Sequence, residues 1–272
     1  MVSTDDIVDL SLKLADMNEL PNDSAVYVEG KNIKKILYGI DIGTTELLYA
    51  KHNGYDCVLA HHPVGVIESY KEFKRHLIQL QSKGVSIKDG ENLIMDKIIG
   101  YKYANHAKNY DAIPSLARLL NIPFLNIHCP SDELGRQLIS NSIEKLVEEK
   151  PAAILADLQH HLTNSFIEFK KAKTKIEIAH GSEKDLLGDW IFSHGALTNG
   201  GYAIADAYFN QKVNTVIYIH IAPGELIQIK KANKGHLVIT GHIASDSIGI
   251  NPLLDELEKV GCSITAIGGL IR

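Results

Sequence analysis

The chain has 272 residues, 45% of them hydrophobic and 22% charged, with a formal net charge of -5. This is close to a globular average, supplies enough apolar side chains for a sizeable core, and argues against a general nucleic-acid binder, which usually carries a basic face. No apolar run nears the roughly 20 residues of a membrane span, the acidic opening stretch lacks the order of a signal peptide, and Cys57, Cys129 and Cys262 form no CxxC pair, so a cytoplasmic protein with reduced thiols and no membrane partner is expected.

Ser3-Thr4-Asp5 ahead of Ile7, Leu10, Leu12 and Leu14 predicts a capped helix. Lys35 to Ile40 is a short apolar strand, Thr44 or Thr45 caps a helix to about His52, and Gly54 sits where a helix C-cap favours glycine. Cys57 to Ala60 is a buried strand that ends in His61-His62-Pro63. Helical spacing follows over 68–82, 91–108 and 111–120. Pro123 to His128 is a strand, and a long helix to about Glu149 follows, with Ser131 as its expected N-cap.

After the break at Lys150-Pro151, a helix over 152–171 is expected. Strands at 175–179 and 189–192, a tight turn at Asn199-Gly200-Gly201 and a helix over 202–210 come next. The strand 216–221, the helix 223–232, the strand 236–240, a final helix from Gly241-His242 to about Val260 and the strand 263–267 complete the chain. Strands alternate with helices throughout, which predicts an α/β fold of two lobes with mainly parallel or mixed sheets. The lobes are expected at 1–150 and 151–272, the C-terminal segment being able to pack back onto the first.

Chemistry-bearing side chains gather at the strand-to-helix junctions, where α/β folds place ligands. His61 and His62 leave an extended backbone in opposite directions, so they suit two neighbouring ions better than one. The plainer reading is a pair of surface histidines. His128-Cys-Pro-Ser-Asp132 places a carboxylate between a strand and a helix, where it either binds a metal or offsets the helix dipole. His242-Ile-Ala-Ser-Asp246 sets an imidazole and a carboxylate one helical turn apart, as in HExxH zinc helices. A surface His/Asp pair is the plainer alternative. Three histidines with two carboxylates suit zinc, iron or manganese, and five ligands exceed one tetrahedral ion. His220 at a strand end, Asp111 at a helix start and Cys129 are weaker candidates. His160-His161 reads as a solvated helix face, and Asp41 as a turn former. No GxGxxG, P-loop or GxSxG motif occurs.

The strand-Asp-helix-strand-HHP run from Ile36 to Pro63, the segment PFLNIHCPSD (123–132) and Gly241-His242-Ile-Ala-Ser-Asp246 resemble the signatures of the NGG-interacting-factor-three-like family, also labelled GTP cyclohydrolase 1 type 2 homologue. The resemblance implies metal-ligand roles for His61, His62, Asp132, His242 and Asp246. It implies a catalytic role for His128, as a residue that shuttles a proton or orients a ligand. It also implies two divalent ions (zinc, iron or manganese) in a cleft between two α/β lobes, and a homo-oligomer, often a toroidal homohexamer. Cys129 stands where the family has Thr, and Asp246 where it usually has Glu. Extra helical sequence around 84–121 lengthens the interval between the first two motifs and makes Asp111 a rival to Asp132. The expected function is a metal-dependent hydrolase acting on a small molecule, a nucleotide being one candidate. The alternatives are metal delivery without turnover and an interaction scaffold with structural metals.

Overall fold

The structure, a computed structural model, describes residues 2–272. Helix α1 (Thr4–Leu14) opens with a reciprocal cap: Ser3 Oγ accepts from the Asp6 amide, and the Asp6 carboxylate accepts from the Ser3 amide. Strand β1 (Ala25–Val28), β2 (Lys35–Gly39), α2 (Thr44–His52) and β3 (Cys57–Ala60) follow. A 3-10 stretch, Ser69–Arg75, leads into α3 (His76–Ser82), then α4 (Ile87–His106), α5 (Ala112–Leu120), β4 (Phe124–Asn126) and α6 (Cys129–Glu149). The second half holds α7 (Leu155–Ser165), α8 (Ile167–Lys171), β5 (Glu177–His180), β6 (Trp190–Phe192) and α9 (Gly201–Asn210). It ends with β7 (Thr215–Tyr218), α10 (Pro223–Ala232), β8 (His236–Ile239), α11 (His242–Lys259) and β9 (Ser263–Ile267).

The chain forms two compact units. Unit 1 holds the residues through Glu72 with Ile99–Leu134 and Gly249–Leu270; unit 2 holds Phe73–Ile98, Gly135–Ile248 and Ile271–Arg272. Unit 1 carries a five-stranded sheet in the order β1-β4-β3-β2-β9, parallel except for the edge pair β1–β4. Strand β3 is buried at every position, as a strand covered on both faces must be. Leu37, Val58 and Phe124 from the sheet pack with Leu47 and Ala50 of α2 and Ala117 of α5. Each such large side chain contributes about 1.5–3 kcal/mol on burial.

Unit 2 carries a four-stranded sheet in the order β5-β8-β7-β6, again parallel with one antiparallel edge pair, β5–β8. Its core joins Ile139 and Ile143 of α6, Leu155, Leu158 and Leu162 of α7, Ile217 and Val238 of the sheet, and Ala244 and Ile248 of α11. The α/β class and the mainly parallel sheets therefore agree with the alternating pattern. Among the described residues, no helix is long and apolar enough to cross a membrane.

Two local expectations need correction, and one strand was not foreseen. The helix expected over 152–171 is two helices, because Phe166 is extended (φ -124°, ψ 123°) and packs against the core. Ser131 is not an N-cap: α6 begins two residues earlier, with Pro130 in its first turn, where its missing N–H costs nothing. Strand β1 was not foreseen; its four residues are all half-buried, so it shows no alternation to read.

Candidate metal centre

In unit 1 the ladder between β2 and β3 runs on past the strands. The His61 amide donates to the Gly39 carbonyl at 3.0 Å and the His62 amide to the Ile40 carbonyl at 2.9 Å. Both histidines thus stand on rigid, sheet-bonded backbone. Their ring centroids are 5.0 Å apart, and that of His128 lies 4.8 Å from His61 and 5.6 Å from His62. One nitrogen from each of His61, His62 and His128 falls within 4.8 Å of the others.

Every one of these rings has its Nδ1 engaged. His61 Nδ1 meets the Ile127 carbonyl at 3.2 Å, His62 Nδ1 meets Asp41 Oδ1 at 2.7 Å, and His128 Nδ1 meets Asp23 Oδ2 at 2.7 Å. A carbonyl or carboxylate oxygen accepts, so Nδ1 carries the proton in each ring and Nε2 is the nitrogen that could face a metal. Such outer partners fix the tautomer and orientation of ligand imidazoles.

Asp132 enters from the first turn of α6, 4% exposed. Its amide donates to the His128 carbonyl, and its carboxylate oxygens lie 3.3 Å from His61 Nε2 and 3.5 Å from His128 Nε2. With the tautomers assigned above, lone pairs on nitrogen face lone pairs on oxygen. A cation between them satisfies both, and imidazole with carboxylate is a donor set for zinc, iron or manganese. The residues present therefore fit a divalent metal.

Two supports in this unit are illegible from spacing. Asp23, fully buried, holds His128 Nδ1 and accepts from the Ser24 hydroxyl and the Cys129 amide, while Ser24 Oγ accepts the His128 amide. Asn126, also fully buried, donates to the carbonyls of Asp23 and His61 and accepts from the Tyr27 hydroxyl. That same hydroxyl receives the amides of Val64 and Gly65, which fixes the turn after the histidine pair. Burial pushes the Tyr27 phenol above its ordinary pKa, so it stays neutral in this role. Asp41, read from sequence as a turn former, is the partner that orients His62.

In unit 2 the same device recurs. The Thr240 and Gly241 amides donate to the Tyr218 and Ile219 carbonyls, extending the β7–β8 ladder to the start of α11. Gly241 takes φ +100°, a conformation that favours glycine, and turns the chain so that His242 opens the helix. His242 Nε2 lies 3.1 Å from Asp246 Oδ2, the one-turn pairing expected from the i, i+4 spacing. Asp246 is buried. The His220 ring meets His242 edge-on, centroids 4.8 Å apart, and Asn199 bonds both the Ile219 amide and His220 Nε2.

The weaker candidates fall elsewhere. Asp111 pairs with Arg118 Nη2 at 2.6 and 2.7 Å, not with the histidines of unit 1. His161 is half-buried and meets the Ser142 carbonyl at 2.8 Å, so it is part of the α6–α7 packing and not a solvated face. Cys57, Cys129 and Cys262 are all buried, and among the described residues no disulfide forms.

No protein-family model matches the chain, and no curated protein does. Solved structures do. A NIF3 superfamily protein from Sphaerobacter thermophilus is 41% identical over 99% of both chains, with a TM-score of 0.96. A hypothetical protein from Staphylococcus aureus shares the fold at 13% identity, over 97% of this chain and 95% of its own, with a TM-score of 0.54. Reduced HcgD from Methanocaldococcus jannaschii does so at 13% identity over 98% of both chains, with a TM-score of 0.51. The first of these matches agrees with the resemblance carried by the three motifs: this chain belongs to the NIF3 superfamily.

Proposed function

We propose that the chain is a dinuclear metal protein acting as a hydrolase on a small molecule. His61, His62, Asp132, His242 and Asp246 are the proposed ligands of two divalent ions, zinc, iron or manganese. The observation that carries the reading is the common tautomer of His61, His62 and His128, each with its Nδ1 proton held by an acceptor oxygen. Rings held this way keep their donor atoms aimed before any ion arrives, so little ordering entropy is lost on binding. When bound, the ions would supply Lewis acidity toward a substrate oxygen and acidify a water molecule. His128, its ring held through Nδ1 by Asp23, is the proposed residue that shuttles a proton or orients a ligand. Family membership supports a homo-oligomer, with a hexamer as its proposed size, and the buried thiols suit a reducing cytoplasm.

The test is hydrolysis of a panel of nucleotides and other phosphorylated or cyclic-amide compounds by metal-loaded, chelator-stripped and His61→Ala protein. Turnover that falls to background on chelation and in the variant, and returns when metal is restored to the wild type, is expected. Turnover indifferent to chelation overturns the hydrolase reading; full metal content with no turnover across the panel moves it to metal delivery.

A further inference from the structure

Unit 1 contains a concave site of about 260 Å³ that the metal chemistry does not use. Its wall is unusual in composition: Tyr70, Tyr103 and Tyr110 line it together with Ile67. Tyr103 is 66% exposed, Tyr110 54% and Ile67 46%, so three large apolar surfaces are left to water within one hollow. Scattered exposed apolar residues need no explanation, but a grouped, concave set does. Mostly apolar and aromatic lining with a few polar groups is the pattern of small-molecule pockets. The polar groups here are Glu68, Lys102, Asn105 and His106.

The walls are built, not incidental. Asn105, 4% exposed, donates its amide to the Ile67 carbonyl at 3.1 Å and to Ser69 Oγ at 2.8 Å, which clamps the last turn of α4 to the segment after the histidine pair. Lys108 Nζ in turn donates to Asn105 Oδ1. At Gly65 an added Cβ would meet Tyr27 and Pro114 at 2.7 Å, so this segment lies tight against Tyr110 and the first turn of α5. Two walls are thus held at fixed separation while their tyrosines remain uncovered.

We propose that this pocket binds a small molecule through a flat aromatic or heteroaromatic ring, stacked on Tyr103 and Tyr110, with Lys102 meeting an acceptor group at the rim. Tyrosine rings supply rigid contact area and a hydroxyl at low entropic cost. The pocket's size suits one ring system with its substituents.

The experiment titrates the full-length protein, metal-loaded and chelator-stripped, with adenosine, nicotinamide and a cyclohexyl control, read by ligand-observed NMR and calorimetry. Ring compounds should bind in both metal states and the cyclohexyl control should not, so a failed metal centre leaves this result intact. Tyr103→Ala and Tyr110→Ala should each weaken binding about tenfold, as loss of a stacking partner does. Tyr103→Phe should retain affinity. Absence of ring binding, equal binding of the control, or alanine variants that alter only the oligomeric state would overturn the proposal, the last by assigning the hollow to a second copy of the chain.

Discussion

His61 and Asp132 in unit 1 have side chains 1% and 5% exposed, whereas His242 in unit 2 is 39% exposed beside an Asp246 that is 1% exposed. Both sets stand where a parallel ladder continues past its strands. They differ in how the rings are held. His61, His62 and His128 each have a carboxylate or carbonyl on Nδ1, and the His242 ring packs on the edge of the His220 ring, which Asn199 holds. A shared strand-exit geometry therefore delivers donors of two kinds. One set is buried at His61 and Asp132 and held in one tautomer through Nδ1; the other pairs a buried carboxylate with an imidazole that water reaches. Proton-fixing partners raise ligand basicity and hold geometry, so the unit 1 set should dominate affinity.

The strongest way to break that comparison is to remove the support and keep the ligands. Asp23→Ala leaves the His128 ring N–H without its carboxylate in a buried site. Metal affinity should fall about 10–100-fold, by competition with a fluorescent chelator, and stability by about 2–3 kcal/mol in urea unfolding. An unaltered affinity would show that the ring needs no such partner.

A second test separates a histidine held for packing from those held for metal. His76 is fully buried in unit 2, and its Nε2 meets the Thr198 carbonyl at 2.9 Å. Burial is the main cause that brings its pKa down to about 4, with the nearby His194 adding to it. The unfolded chain takes up this proton near pH 6.5, so the folded state keeps its full advantage above that pH and loses it as pH falls toward 4. Between pH 6.5 and 5 the loss is about 2 kcal/mol at 1.36 kcal/mol per unit. His76→Gln keeps a donor for Thr198 without titrating, so its unfolding free energy should be flatter over that window, with metal content unchanged. An equally steep pH profile in the variant would remove His76 from the account.

The smallest effect is expected at Asp41, whose side chain is 82% exposed although it holds His62 Nδ1. Asp41→Ala should weaken metal by less than about tenfold, since water can replace an exposed partner. A loss as large as that of Asp23→Ala would mean that burial does not set the worth of these supports.

The histidine pair, the Cys57–Ala60 strand and the i, i+4 pair were legible because each depends on neighbours in sequence: a fully buried run, a turn, a helical period. The final elements α10 and β9 were legible for the same reason, from Pro223 and the short Ser263–Ile267 run. The supports were not. Asp23 lies 105 residues from His128, and no local pattern marks a carboxylate that will be buried. Strand β1 brings it there, a four-residue edge strand whose short Ala-Val-Tyr-Val run, though apolar, is too brief to show a period. The break at Phe166 was hidden likewise: no glycine or proline stands there, and an aromatic ring seeking the core overrides helical continuity.

The central claim is tested most directly by elemental analysis of bound metal per chain, for wild type and for the His61→Ala/His242→Ala double variant, each prepared with zinc, manganese and iron present. The account predicts about two ions per wild-type chain, within the usual stoichiometry of a two-metal centre, and their loss in the variant. Wild-type protein without metal, or a variant that keeps all of it, would contradict the assignment of these residues as ligands.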